Sequence, residues 1–161
     1  MKSRCMGCGG LFDDEKGPVH DYMLSSPGCW AQYGLILARE YQNPELFASA
    51  HRLTVDAYAL QHPGKNNERR AYQSVRIHYT SLHLIFAHDL RHAEATEALK
   101  QLAQGSFSPL TSRPSDFEVT VSDVLKSDLE NHAAAVARWA RCAYDRWDVL
   151  MPYAETLIKT L

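Results

Sequence analysis

Cys5 and Cys8 stand two residues apart and run into Gly9-Gly10, the form of a zinc knuckle. Two thiolates chelate one ion while the glycines let the backbone turn so that its N–H groups approach the sulfurs. A structural zinc takes four ligands, so two more are needed. Cys29 falls in the first turn of a predicted helix, where the helix dipole favours a thiolate. If the helix bearing Cys29 and the next one are antiparallel about the turn at residues 43–44, Cys29 lies beside about residue 58 and His62 one turn further on. His51 would lie about 10 Å away along that helix, which makes His62 the better fourth ligand. His20, in an irregular segment, is the alternative. A dithiol redox role fits less well, because the strand-then-helix context of a redox Cys-x-x-Cys is missing. Cys142 has no partner spacing and reads as structural.

Eight histidines supply a second constellation. With the second and third helices turning back around residues 63–67, His51 falls level with about residue 79, beside His78. His132 sits near the middle of a later predicted helix, hence at mid-bundle. A layer of His51, His78 and His132, with Asp56 or Glu130 behind it, could hold a metal with an open coordination position or bind a small molecule. The competing expectation is that each histidine makes an ordinary hydrogen bond in or near the core. His83, His88 and His92 are expected on a solvated face.

The elements that must position these groups are helices. Residues 1–25, rich in Gly, Pro and Asp, read as an irregular segment that needs an external tie. Ser26-Pro27 is an N-cap followed by proline, and Trp30, Tyr33, Ile36, Leu37 and Tyr41 follow at helical spacing, giving a helix over 27–42. Asn43-Pro44 opens a second helix that ends near His62 at Pro63-Gly64. Asn66 or Asn67 caps a third that continues to about residue 90. A shorter helix covers 92–103 and ends at Gly105, and 105–118 is a loop. Thr120-Val121-Ser122-Asp123 resembles a capping box before one long alanine-rich helix through Trp147. Pro152 begins a short terminal helix, and no segment alternates like a strand. The expected fold class is all-α: an antiparallel bundle of four main helices with a metal-clipped N-terminal segment, in one domain over 1–161.

Composition narrows the function classes. Seventeen Lys and Arg against nineteen Asp and Glu give a formal charge of -2, without the electrostatic footprint of a dedicated nucleic-acid binder. No window approaches the ~20 apolar residues of a membrane span, and the N-terminus lacks an apolar secretory core, so a cytoplasmic location is expected. Four cysteines in a reducing compartment favour metal over disulfides.

Cys5-x-x-Cys8-Gly9, the run Ser25-Ser26-Pro27-Gly28-Cys29-Trp30, the run His51-Arg52-Leu53-Thr54-Val55-Asp56-Ala57-Tyr58, and Gln61-His62-Pro63-Gly64 are long, specific words. In them the chain resembles a family of small bacterial proteins known as a domain of unknown function. The resemblance implies a common fold and brings no activity with it. The stretch from Thr120 through His132 to Trp139 is also similar in style to DinB-like bundles, whose metal is held by three histidines from different helices; here that stretch offers His132 alone. Two function classes remain. One is a zinc-binding bundle acting on a small molecule as a metal-dependent hydrolase or transferase. The other is a structural or interaction module whose zinc fastens the N-terminal segment to the helices.

Overall fold

The computed structural model describes residues 1–103 and 107–161. Among them are a two-stranded antiparallel sheet, β1 (Lys2–Arg4) and β2 (Leu11–Asp13), and seven α-helices. These are α1 (Pro27–Tyr41), α2 (Pro44–Gln61), α3 (Arg69–His88), α4 (His92–Leu102), α5 (Val121–Leu125), α6 (His132–Arg146) and α7 (Met151–Ile158). The chain is mainly helical, as its spacing predicts. The sheet is an addition: three-residue strands are too short to display alternation, and they exist because they flank the Cys5–Cys8 turn. The expected end of α4 at Gly105 lies outside the described residues.

The first two helices start where local chemistry starts them. Ser26 Oγ accepts from the Cys29 N–H at 3.3 Å, and Asn43 Oδ1 accepts from the Glu45 and Leu46 N–H groups at 3.1 and 3.2 Å. Each cap precedes a proline, whose missing N–H would have been orphaned in the first turn anyway. α3 begins after Glu68, which makes no side-chain cap, so the asparagines at 66 and 67 belong to the preceding turn.

The long helix expected from residue 120 is two helices. The capping box forms, with Asp123 accepting from the Thr120 N–H at 2.9 Å, but α5 stops at Leu125. Asp128 then accepts from the Asn131 N–H at 2.9 Å and starts a new turn leading into α6. His132 therefore occupies the first position of α6 rather than a mid-helix one.

α2 packs against α1, α3, α4 and α6, and the core gathers around it. Trp139 and Trp147 of the C-terminal half are fully buried, and each indole N–H finds a partner on the last turn of α2. Trp139 Nε1 donates to Gln61 Oε1 at 2.9 Å, and Trp147 Nε1 to the Leu60 carbonyl at 2.8 Å. Burying either ring contributes several kcal/mol, roughly the 3–5 kcal/mol lost when such a side chain is truncated. The same two contacts fix the C-terminal end of α2, which carries His62.

Candidate metal centre and histidine clusters

The Cys5–Cys8 turn is folded back on itself: the Cys5 N–H donates to the Gly10 carbonyl at 2.8 Å, and the Gly9 N–H to the Cys5 carbonyl at 3.0 Å. Gly9 has φ +78°, a left-handed conformation that costs glycine little. Gly7 is needed for space, since a Cβ there would sit 2.5 Å from His62 Cδ2 and 2.5 Å from the Leu24 carbonyl oxygen. The turn thus lies directly against the end of α2.

Cys5, Cys8, Cys29 and His62 converge, one donor atom from each lying within 4.8 Å of every other. Their exposures are 2%, 0%, 0% and 0%. A tetrahedral ion with sulfur at about 2.3 Å and nitrogen at about 2.0 Å needs donor separations of about 3.5–3.8 Å. The Cys29 Sγ to His62 Nε2 separation is 3.3 Å. His62 Nδ1 donates to the Tyr58 carbonyl at 2.8 Å, which leaves the Nε2 lone pair for the cluster, and the ring stacks on Tyr58 at 3.9 Å. The Tyr58 hydroxyl donates to Cys29 Sγ at 3.7 Å and the Ser26 N–H to Cys5 Sγ at 3.4 Å. These donors moderate sulfur charge, as partners around a metal site do.

The three thiols compete for one negative charge. Hydrogen bonds from Cys29 and then Cys8 hold Cys5 far below the ordinary thiol value. A hydrogen bond from Cys29 pulls Cys8 down, but hydrogen bonding to Cys5, burial and the Cys5 charge outweigh it and push Cys8 up to about 12. Hydrogen bonding to Cys5 and Cys8, followed by burial, raises Cys29 as well. Three buried thiolates become compatible when a dication sits among them, and a coordinating thiol is then deprotonated outright. The donor set fits such an ion: three soft sulfurs and one imidazole, in tetrahedral number.

Neither alternative fourth ligand is near. His20 Nδ1 accepts from the Tyr22 and Met23 N–H groups, both at 3.3 Å, and its ring packs edge-on against Tyr22 and Trp30. His51 is engaged elsewhere.

The expected histidine layer separates into two clusters, each built on a buried carboxylate. Glu40, at the end of α1, receives His132 Nε2–H at 2.9 Å, His51 Nδ1–H at 2.9 Å and the Thr54 hydroxyl at 2.5 Å. Arg39 can only donate, and its Nη1 lies 3.3 Å from His132 Nδ1, so the His132 proton is on Nε2 and goes to Glu40. Asp56 receives His78 Nδ1–H at 2.7 Å, the Ser81 hydroxyl at 2.5 Å and a two-pronged contact from Arg52. Glu130, expected behind the layer, is exposed, and Glu40 takes that place. Glu40 was readable in principle: the register that places Cys29 beside about residue 58, one turn from His62, places residue 40 beside about residue 47, one turn from His51.

Between α2 and α4 lies a cleft of about 640 Å³ lined by Phe47, Val55, His51, Arg52, His92 and Thr96, among others. Among the described residues no carboxylate lines it. Burial pushes His92 below its ordinary value. His83, expected on a solvated face, is buried at 2% exposure. Among the described residues the groups of three or more donors compact enough for a metal are the Cys5 cluster and His83, His88 and Glu155. His51, His78 and His132 are in neither.

A family model described as a family of unknown function (DUF5946) matches residues 3–148. The chain belongs to this family. The match spans both the metal-type cluster and the two carboxylate-centred ones, so the whole arrangement lies within the family's domain. None of the curated proteins and none of the solved structures matches the chain. Among the described residues no helix is long and apolar enough to cross a membrane.

Proposed function

We propose that this is a zinc-fastened helical domain in which the metal locks the N-terminal segment onto α1 and α2. The observation that carries the reading is the closure of the site. Four protein donors, each at most 2% exposed, complete a tetrahedral set and leave no place for water or substrate, which is the character of structural rather than catalytic zinc. Zinc is favoured over other ions because it is content with three thiolates and an imidazole and has no geometric demand beyond four-coordination. Besides the metal, the segment is held by packing, with Phe12 1% exposed in the core and the His20 ring against Trp30, and by a few polar contacts. The Phe117 N–H donates to the Cys8 carbonyl at 3.1 Å, and the exposed Arg4–Asp116 pair at 2.9 Å adds little. Metal analysis of the purified protein is the direct test: a tightly held equivalent of zinc that disappears in a Cys5→Ser/Cys8→Ser double variant supports the reading, and unchanged metal content in that variant overturns it.

A second reading, of small-molecule binding, rests on the α2–α4 cleft. Its apolar wall and its Arg52, His51 and His92 suit a ligand with an apolar body and an anionic end. His51 commits Nδ1 to Glu40, so Nε2 is the nitrogen available to a ligand and could serve as a general base. In that reading Asp56, with His78, positions Arg52, and His132 positions Glu40. Calorimetry with a series of small aromatic and aliphatic carboxylates tests it. Binding that is lost in Arg52→Ala while the fold persists favours the cleft, and binding unaffected by Arg52→Ala and His51→Ala removes it.

A further inference from the structure

We infer that His83, His88 and Glu155 form a second metal site, open to solvent and independent of the cysteine cluster, that takes a divalent first-row transition ion. Two of its donors close α3, where His88 is the last helical residue before the left-handed Asp89, and the third comes from α7. Glu155 Oε1 lies 2.6 Å from His83 Nε2 and 3.2 Å from His88 Nε2, and one donor atom from each residue lies within 4.8 Å of the others. Nitrogen and oxygen ligands at about 2.0–2.2 Å from one ion stand roughly 2.9–3.5 Å apart, so the two Glu155 separations need shifts of a few tenths of an ångström, and the histidine nitrogens, within 4.8 Å of each other, would draw together around the ion.

Histidine tautomers normally obstruct such a conversion, because a ring nitrogen that donates to a carboxylate has no lone pair for a metal. Here the obstacle is removed behind the ring. His83 Nδ1 is 2.7 Å from the Tyr144 hydroxyl, which can donate or accept. Without metal, His83 gives Nε2–H to Glu155 and Nδ1 accepts from Tyr144. With metal, the proton resides on Nδ1 and Tyr144 accepts it, so the hydroxyl orients the ligating ring. Tyr144 itself is held by a stack on Tyr79 at 5.0 Å.

The two sites differ in kind. His83 is buried, but His88 and Glu155 are 36% and 42% exposed on their side chains, so protein covers one side of the triad and water the other. Two histidines and a carboxylate with free positions are the donor set of metals that exchange ligands, and a bound water there would be acidified. The cysteine cluster, with sulfur ligands and no free position, has neither property.

The test titrates Co²⁺ into the full-length protein as isolated, with its first metal in place. The site predicts one added equivalent whose visible bands lack thiolate-to-cobalt charge transfer and shift on adding azide. Affinity should fall at least 10-fold in both Glu155→Gln and His88→Gln, two part-exposed positions where helicity by circular dichroism should be unchanged. No added equivalent, binding that persists in both variants, or bands with thiolate character would each overturn the assignment. Because the sulfur-free signal is read apart from the first metal, it stands or falls separately from the zinc clasp.

Discussion

His62 gives its Nδ1 proton to the carbonyl of Tyr58 one turn earlier in the chain, and so presents Nε2 to Cys29 at 3.3 Å. Helical geometry provides the carbonyl, and the end of α2 provides the freedom to use it. The fourth donor is therefore aimed at the cluster by the end of the helix itself.

Replacing Cys5 and Cys8 together by serine is expected to remove one equivalent of metal and to free the segment 1–25 while α1, α2 and α6 remain folded. Hydrogen exchange reads both parts at once. Amides from Cys5 to Asp13 should lose protection, and those of α6 should keep most of theirs.

His62→Cys should retain metal, since a fourth thiolate completes a four-sulfur tetrahedral set, whereas His62→Ala should bind it at least 10-fold more weakly. Competition with a chromogenic chelator measures both. Equal affinities in the two variants would mean that His62 is not a ligand.

Gly7→Ala places a methyl group 2.5 Å from His62 Cδ2 and 2.7 Å from the Gln61 carbonyl oxygen. Two of its three nearest neighbours are backbone and cannot swing aside. A loss of about 1–3 kcal/mol in urea unfolding is expected, with weakened metal retention. Gly34→Ala is the control, because nothing lies within 4 Å of a Cβ there.

Glu40→Ala strands His132 and Thr54, both 0% exposed, and the part-exposed His51 without their common acceptor. The expected cost is roughly 1–3 kcal/mol for each buried donor left without an acceptor. Glu40→Gln keeps one acceptor oxygen and should cost less. Denaturation midpoints of the two variants rank them, and equal stabilities would show that the network is not what holds α6 to α1.

What the sequence made legible was local or followed from a short turn. Ser26-Pro27 and Asn43-Pro44 start α1 and α2 through contacts no more than three residues long. The two-residue connection between those helices then sets their register closely enough to match Cys29 with His62. Glu40 stayed hidden because Arg39-Glu40-Tyr41 looks like the solvated end of a helix, and its burial depends on α6, nearly a hundred residues away. His83 stayed hidden likewise: its cover comes from Tyr144 and Glu155. The break between α5 and α6 was obscured by the capping box at Thr120 running toward the alanine-rich stretch from Ala133 onward, although Asp128 and Asn131 carry the signal.

All four residues of the cysteine cluster lie within the first 62 positions, whereas the helix that buries α2 begins at His132. A chain made from its N-terminus presents all four residues of this cluster long before the tryptophans that seal the core have been synthesised. On the zinc-fastened reading proposed above, metal capture precedes global folding, and zinc supply during translation is expected to set how much of this protein matures.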